Sequence, residues 1–311
     1  MRLFFLKRLG VMLTTLFIIA TVTFFLMKLL PGTPYSNPER LTEQQLTSLN
    51  QKYGLDQPLS VQYVRYLSNL VQGDWGVSFQ FKGRLVTDII LDRIGPSVLI
   101  GFQAMVVGSI IGLGLGILSA LRQNTLFDFG AVTLAVLGMS VPSFVFAALL
   151  QYYVGVKLGW LPAGLWEDYT YSIMPSLALA VTVVAAVARF IRTEMLEVLS
   201  QDYILSARAK GISETEVVWK HVVRNSLIPV VTMLGPMAVS IMTGTLVIEK
   251  IFSVPGLGEQ FILSIMVNDY SVIMGITLFY STLFILVVLL VDLIYGFLDP
   301  RIRERLGGST G

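Results

Sequence analysis

Between two segments apolar enough to cross a bilayer, residues 202–229 carry mixed charge: Arg208, Lys210, Lys220 and Arg224 against Asp202, Glu214 and Glu216. Such a set can grip a protein surface through ion pairs. It offers no nucleophile beside its base. His221 is the one histidine in the sequence, and there is no cysteine. Disulfides, thiolate metal sites, cysteine nucleophiles and multi-histidine centres are excluded together. No glycine-rich loop ends in Gly-Lys-Ser/Thr, and no Gly-x-Ser-x-Gly turn occurs. The chain is therefore expected to have no catalytic residue, no metal site and no cofactor of its own. His221 reads as a surface residue of the charged stretch.

The elements that must hold this stretch are legible nearby. Residues 195–200 have helical spacing of apolar side chains, and Gly211 falls where a helix ends past its C-cap. Ser213 and Glu216 fit a capping box, so a second short helix is expected to start there. Two short helices with a glycine hinge, held at a membrane surface, make a rigid handle for another protein. The alternative is an ordinary solvated loop.

Of the 311 residues, 54% are hydrophobic and only 14% are charged. A soluble domain carries about a quarter charged residues, so an integral membrane protein is expected. The net charge of +2 is too small to suggest nucleic acid. Apolar runs predict spans at 9–30, 98–121, 129–156, 173–188, 227–248 and 272–298. The first exceeds a typical signal core and lacks a small-x-small cleavage site, which predicts an uncleaved span. Arg2, Lys7, Arg8, Arg122, the residues from Arg189 to Arg224, and Arg301, Arg303 and Arg305 fall on one side. Six spans with both termini in the cytoplasm satisfy the positive-inside rule.

Residues 31–97 form a polar external region with helical stretches at 41–52 and around Tyr63 and Tyr66, a turn at 73–78 and a short amphipathic helix at 86–94. It is a packed cap, a contact surface for a delivering protein, or both. In the second span Gly108, Gly112 and Gly116 recur at four-residue intervals with Gly114 between, a stripe that admits a close helix. Ser140 to Ser143 interrupt the third span around Pro142, where a kink is expected. Trp160, Trp166 and Tyr169 suit an interfacial aromatic belt. Pro255, Gly256 and Gly258 oppose a continuous helix before Asn268, Asp269 and Tyr270. Asp292, near the inner end of the last span, reads as an interfacial partner for the basic residues around Asp299. The spans hold almost no buried ionisable residues, which ion-coupled carriers need. Energy should therefore come from outside the chain. Ser140, Pro142, Ser143, Ser240 and Thr243 are candidate path-lining residues, with Thr182 and Thr245 beside them.

Ala207-Arg-Ala-Lys-Gly211, preceded by Asp202 and Tyr203 and followed by Arg224-Asn-Ser-Leu-Ile-Pro229, resembles the cytoplasmic "EAA" loop of permeases from bacterial ABC importers. Leu205 stands where the motif has glutamate, and the proline comes late. Both departures look like the dipeptide/oligopeptide/nickel branch. Leu30-Pro-Gly32, Gly54-Leu-Asp56, Gly73-Asp-Trp-Gly-Val-Ser78, the Phe252 to Gly258 run and Tyr295 to Arg301 resemble the same branch.

The resemblance implies an all-α membrane protein of the type I ABC importer permease fold in a bacterial cytoplasmic membrane. It divides the chain into a leader and first span (1–30), the external region (31–97), a five-helix core (98–305) holding the coupling loop (193–228), and a tail (306–311). It implies a second, homologous permease, two ATPase subunits that bind ATP and magnesium, an extracytoplasmic peptide-binding protein and a peptide substrate. Asp202, Tyr203, Ala207, Arg208, Ala209, Lys210, Gly211, Glu214, Trp219, His221 and Arg224 would form the ATPase-coupling loop. The other readings are the same architecture carrying dipeptides, nickel chelates or glutathione, a stand-alone secondary carrier, and a membrane scaffold with no transport role.

Overall fold

The computed structural model describes residues 2–35, 41–81, 83–243 and 246–298, with side chains from 6 to 241 and 246 to 290 outside those gaps. Among the described residues, the only β pairing is an isolated bridge between Val77 and Leu85. The helices are α1 (Arg2–Leu29), α2 (Glu43–Tyr53), α3 (Leu59–Val71), α4 (Val86–Leu121), α5 (Leu126–Ser140), α6 (Ser143–Leu150), α7 (Ile173–Leu199), α8 (Asp202–Ala209), α9 (Glu214–Glu216), α10 (Arg224–Thr243), α11 (Leu246–Phe252), α12 (Leu257–Met266) and α13 (Tyr270–Leu298). Two π-helical stretches, Gln151–Lys157 and Val217–Val223, extend α6 and join α9 to α10. Among the described residues, five helices are long and apolar enough to cross a membrane, or up to six if the bent pair α5–α6 counts as one span.

The chain divides into two compact units, Met1–Gly95 with Gly256–Leu286, and Pro96–Pro255 with Val287–Gly311. In the first, α2 is closed at both ends by its own sequence. Thr42 and Gln45 form a reciprocal capping box, and Gly54 takes the left-handed conformation (φ 68°) at the C-cap. Tyr66 of α3 stacks on Phe24 of α1 and Tyr63 packs against it at a tilt, each with ring centroids 5.4 Å apart. Val86, Ile89, Ile90, Leu257, Val272 and Ile276 make the buried core of this unit.

In the second unit the glycine stripe does what its spacing predicts. A Cβ added at Gly108 would lie 2.5 Å from the Val183 Cβ, and one at Gly112 would lie 2.8 Å from the Val187 Cβ. A Cβ at Gly116 would collide with the Ala188 carbonyl, so α4 and α7 touch nearly backbone to backbone. Gly114 has nothing within 4 Å and lies off the contact.

Four expectations change. The helix expected at 86–94 and the span expected from 98 are one helix, α4, with Pro96 inside it. Gly95 precedes that proline and has no Cβ to clash with the ring. The interruption at 140–143 is a 96° bend between α5 and α6, far more than a kink. Val141 is extended there (φ −85°, ψ 124°), as a residue before proline prefers. The fifth span begins earlier than 227, because the helix starting at Glu214 continues through the π-helical turn into α10. Gly258 does not break a helix but lies buried inside α12, and the break is at residues 253–256.

Candidate functional site

The charged stretch forms an elbow between α7 and α10, and each of its bends has a local cause. α7 runs on to Leu199, past Arg189 and Arg192, instead of ending at 188. After a turn, α8 occupies 202–209. It closes in a Schellman motif: the Gly211 N–H donates to the Arg208 carbonyl (2.9 Å) and the Ile212 N–H to the Ala207 carbonyl (3.3 Å). Gly211 has φ +78°, a conformation that glycine adopts without the steric cost a Cβ brings. The Ser213 hydroxyl then accepts from the Glu216 N–H at 3.3 Å and starts the next helix. The elbow thus holds one short helix, α8. The second does not end on its own but runs into the apolar helix that follows.

The elbow has an inner and an outer face. Ile204, Ala207 and Val217 are buried among Ile191, Met195 and Val222. Asn225 Nδ2 donates to the Tyr203 hydroxyl at 2.9 Å, tying α8 to α10. Arg208 bridges the glycine turn to Glu214 with two bonds, Nε to Oε1 at 2.8 Å and Nη2 to Oε2 at 3.1 Å. Lys220 pairs with Glu216 one helical turn away. Asp202, Arg208, Ala209, Lys210, Gly211, Glu214 and Arg224 face outward. Three large side chains stand among these charges, with Tyr203 43%, Leu205 57% and Trp219 58% exposed. His221 is half-buried, and Ala207 packs inward. Leu205, set aside at first as a departure from the motif, is thus part of the outer surface.

A buried ion pair joins α5 to α7. Asp128 is 2% exposed and accepts from Arg192 Nε at 2.7 Å and Nη2 at 2.8 Å. The Ser119 hydroxyl (2.5 Å) and the Asn124 N–H (2.9 Å) complete its shell. Sequence reasoning missed this pair because it began the third span one residue later and treated Arg192 as the end of the fourth. Glu249 is also fully buried and accepts from the Ser97 hydroxyl at 2.7 Å. The expectation of almost no buried ionisable groups is therefore corrected, although both carboxylates have partners.

The candidate path residues lie at the end of α5, at the α5–α6 bend and on α10. Ser140 is exposed and donates to its own helix at the Val136 carbonyl, 2.8 Å away. Pro142 and Ser143 form the α5–α6 bend, and Ser240 is exposed on α10. The Thr243 side chain, Thr245, Asp292, Asp299 and the basic residues beyond lie outside the described residues and side chains.

The first unit holds a second built structure, in which two signature stretches, 30–32 and 73–78, meet residues 268–270. Asp269 is fully buried and accepts from the Ser78 hydroxyl, the Phe79 N–H (3.2 Å), the Gln80 N–H (3.4 Å) and the Val272 N–H (3.5 Å). Gln80 Nε2 donates to the carbonyls of Pro34 (2.8 Å) and Val267 (2.7 Å). Asn268 Nδ2 donates to Pro31 O at 3.2 Å, beside Gly32 at φ +102°. Burial pushes the Asp269 carboxyl above the usual carboxylate range, and its hydrogen bonds only partly offset this.

Apolar helices of spanning length define a multi-pass membrane protein that carries an exposed, charged elbow. The chain belongs to the family of binding-protein-dependent transport system inner membrane components, whose model matches residues 112–304, while the model of that family's N-terminal part matches residues 1–99. It is 47% identical to the dipeptide transport system permease protein DppB of Lactococcus lactis over 96% of this chain and 99% of that protein. It is 44% identical to the DppB of Bacillus subtilis, covering 98% and 99%. It is 41% identical to the oligopeptide transport system permease protein OppB of Haemophilus influenzae, covering 96% and 99%. Among solved structures, an amino acid ABC transporter crystallised with histidines superposes with a TM-score of 0.52 at 16% identity, over 69% of this chain and 94% of that one.

Proposed function

We propose that this chain is the permease subunit of an ATP-driven peptide importer, six spans with both termini in the cytoplasm, paired with a second, homologous permease. The elbow docks into a groove on a separate ATPase subunit. The carrying observation is its two-faced construction: a buried face that fixes α8 to α7 and α10, and an outer face of charges around Tyr203, Leu205 and Trp219. Such a part transmits force without bending, because its turn is closed by hydrogen bonds and an ion pair. ATP closes two nucleotide-binding partners, the elbows move with them, and the spans exchange two packings. Residues 31–97 form an outer cap that receives the peptide-binding protein. Ser140, Pro142, Ser143, Ser240 and Thr243 line the path, with cargo selection left to that protein. Dipeptides are the second reading of the cargo, favoured by higher identity to relatives named for dipeptides (47% and 44%) than to one named for oligopeptides (41%).

Growth on a peptide as sole source of a required amino acid tests the reading. A deletion strain regains growth with the wild-type gene and not with Gly211→Pro. Unimpaired growth of the deletion strain, or co-purification of the chain without any ATPase, contradicts it.

A further inference from the structure

A cavity of about 320 Å³ opens in the first unit between the end of α1, α3 and the turn at 73–77. Its lining includes three cations, Lys28, Lys52 and Arg65, against one carboxylate, Asp74. Asp74 already accepts from the Gly76 N–H at 2.9 Å. Among the described residues no ion pair joins any of the three cations to a carboxylate. Lys28 is held toward the cavity by Gln62 Oε1 at 2.6 Å. The Arg65 guanidinium lies on the left-handed turn at Gly54, where any Cβ would collide with it. The Tyr66 hydroxyl, in the same lining, is buried without a hydrogen-bond partner. It is an unused donor beside cations that no carboxylate neutralises.

The other wall is apolar. Phe24 and Met27 belong to α1, whose residues Leu6–Leu29 are long and apolar enough to cross a membrane. Val22, Leu26 and Leu29 on that helix are 50%, 52% and 79% exposed. A cationic pocket at the head of an exposed apolar helix suits an amphiphile with an anionic head. The volume, at the lower end for ligand sites, fits a small headgroup and leaves the acyl chains to run along α1. We propose that this cavity binds the phosphate-bearing headgroup of an anionic phospholipid. Lys28, Lys52 and Arg65 neutralise the phosphate and the Tyr66 hydroxyl donates to it. The bound lipid then pins the cap to the membrane surface.

The full chain, released from nanodiscs of phosphatidylglycerol and phosphatidylcholine, is examined by native mass spectrometry. The wild type retains one phosphatidylglycerol in preference to phosphatidylcholine. The double variant Lys52→Gln/Arg65→Gln loses that preference by roughly 30-fold, as expected for removing two cations at a headgroup. Both side chains are exposed, so folding is spared. Lys157→Gln, which removes a cation elsewhere, keeps the preference. Equal retention of the two lipids by the wild type, or an undiminished preference in the double variant, overturns the proposal. Displacement of the lipid by 10 mM inorganic phosphate, roughly the level at which a free anion would fill a headgroup site, also overturns it and assigns the cavity to a soluble phosphate.

Discussion

The elbow and the Asp269 clasp are built on opposite plans. The elbow is made mostly of neighbours: its turn bonds, its ion pairs and its caps join residues no more than six apart, and its longer tie, Tyr203 to Asn225, spans 22. Its charged groups face water, and its buried side is mainly apolar. The clasp is made of strangers, with Ser78 and Asp269 separated by 191 positions and hidden from solvent. A local, exposed device can move as one body and still present charge to a partner. A long-range, buried device holds chain segments together and pays for any loss with stability. The first plan suits a moving part and the second a fixed one.

Breaking the elbow should cost function and spare the fold. Gly211→Pro forces φ from +78° to about −65°. Peptide uptake into cells should fall to background, while the chain still inserts and melts within a few degrees of wild type. Breaking the clasp should do the reverse. Asp269→Ala strands the Ser78 hydroxyl proton and the Phe79 and Val272 N–H groups and should cost about 3 kcal/mol, read as a lower melting temperature in detergent. ATPase co-purification per folded molecule should be unchanged. Arg208→Glu sharpens the contrast. The pair with Glu214 is exposed, so stability should shift by less than about 1 kcal/mol. Uptake should nevertheless fall about tenfold, equivalent to about 1.4 kcal/mol of docking.

The smallest effect concerns pH. The folded state raises the Asp269 carboxyl above its ordinary value of 3.8. Between that value and the raised one, the folded chain holds a proton that the unfolded chain has released. This group's contribution to stability therefore falls as pH rises through the window and is recovered on acidification. Melting temperatures of Asp269→Asn and wild type should converge as pH is lowered through that range and separate above it.

Local chemistry was legible in the sequence and distant chemistry was not. Gly211, Ser213 and the stripe at Gly108, Gly112 and Gly116 were readable because each acts through a spacing of a few residues. The run from Val86 through Pro96 was misread as two elements, since a proline usually ends a helix and Gly95 removes the clash that would end it. The Asp128–Arg192 pair was missed because the two lie 64 positions apart and neither has a local signature. The stretches around Gly73–Ser78 and Asn268–Tyr270 were each noticed, but nothing in either names the other as its partner.

Because the chain has no cysteine, a single Lys210→Cys substitution puts one thiol on the elbow's outer face. The decisive measurement is its labelling by a membrane-impermeant maleimide in inside-out membrane vesicles, with and without the co-expressed ATPase subunits. The account predicts rapid labelling of the chain alone and strong protection when the ATPase is present. Labelling that is unaffected by the ATPase, or that occurs only from the opposite membrane face, would contradict it.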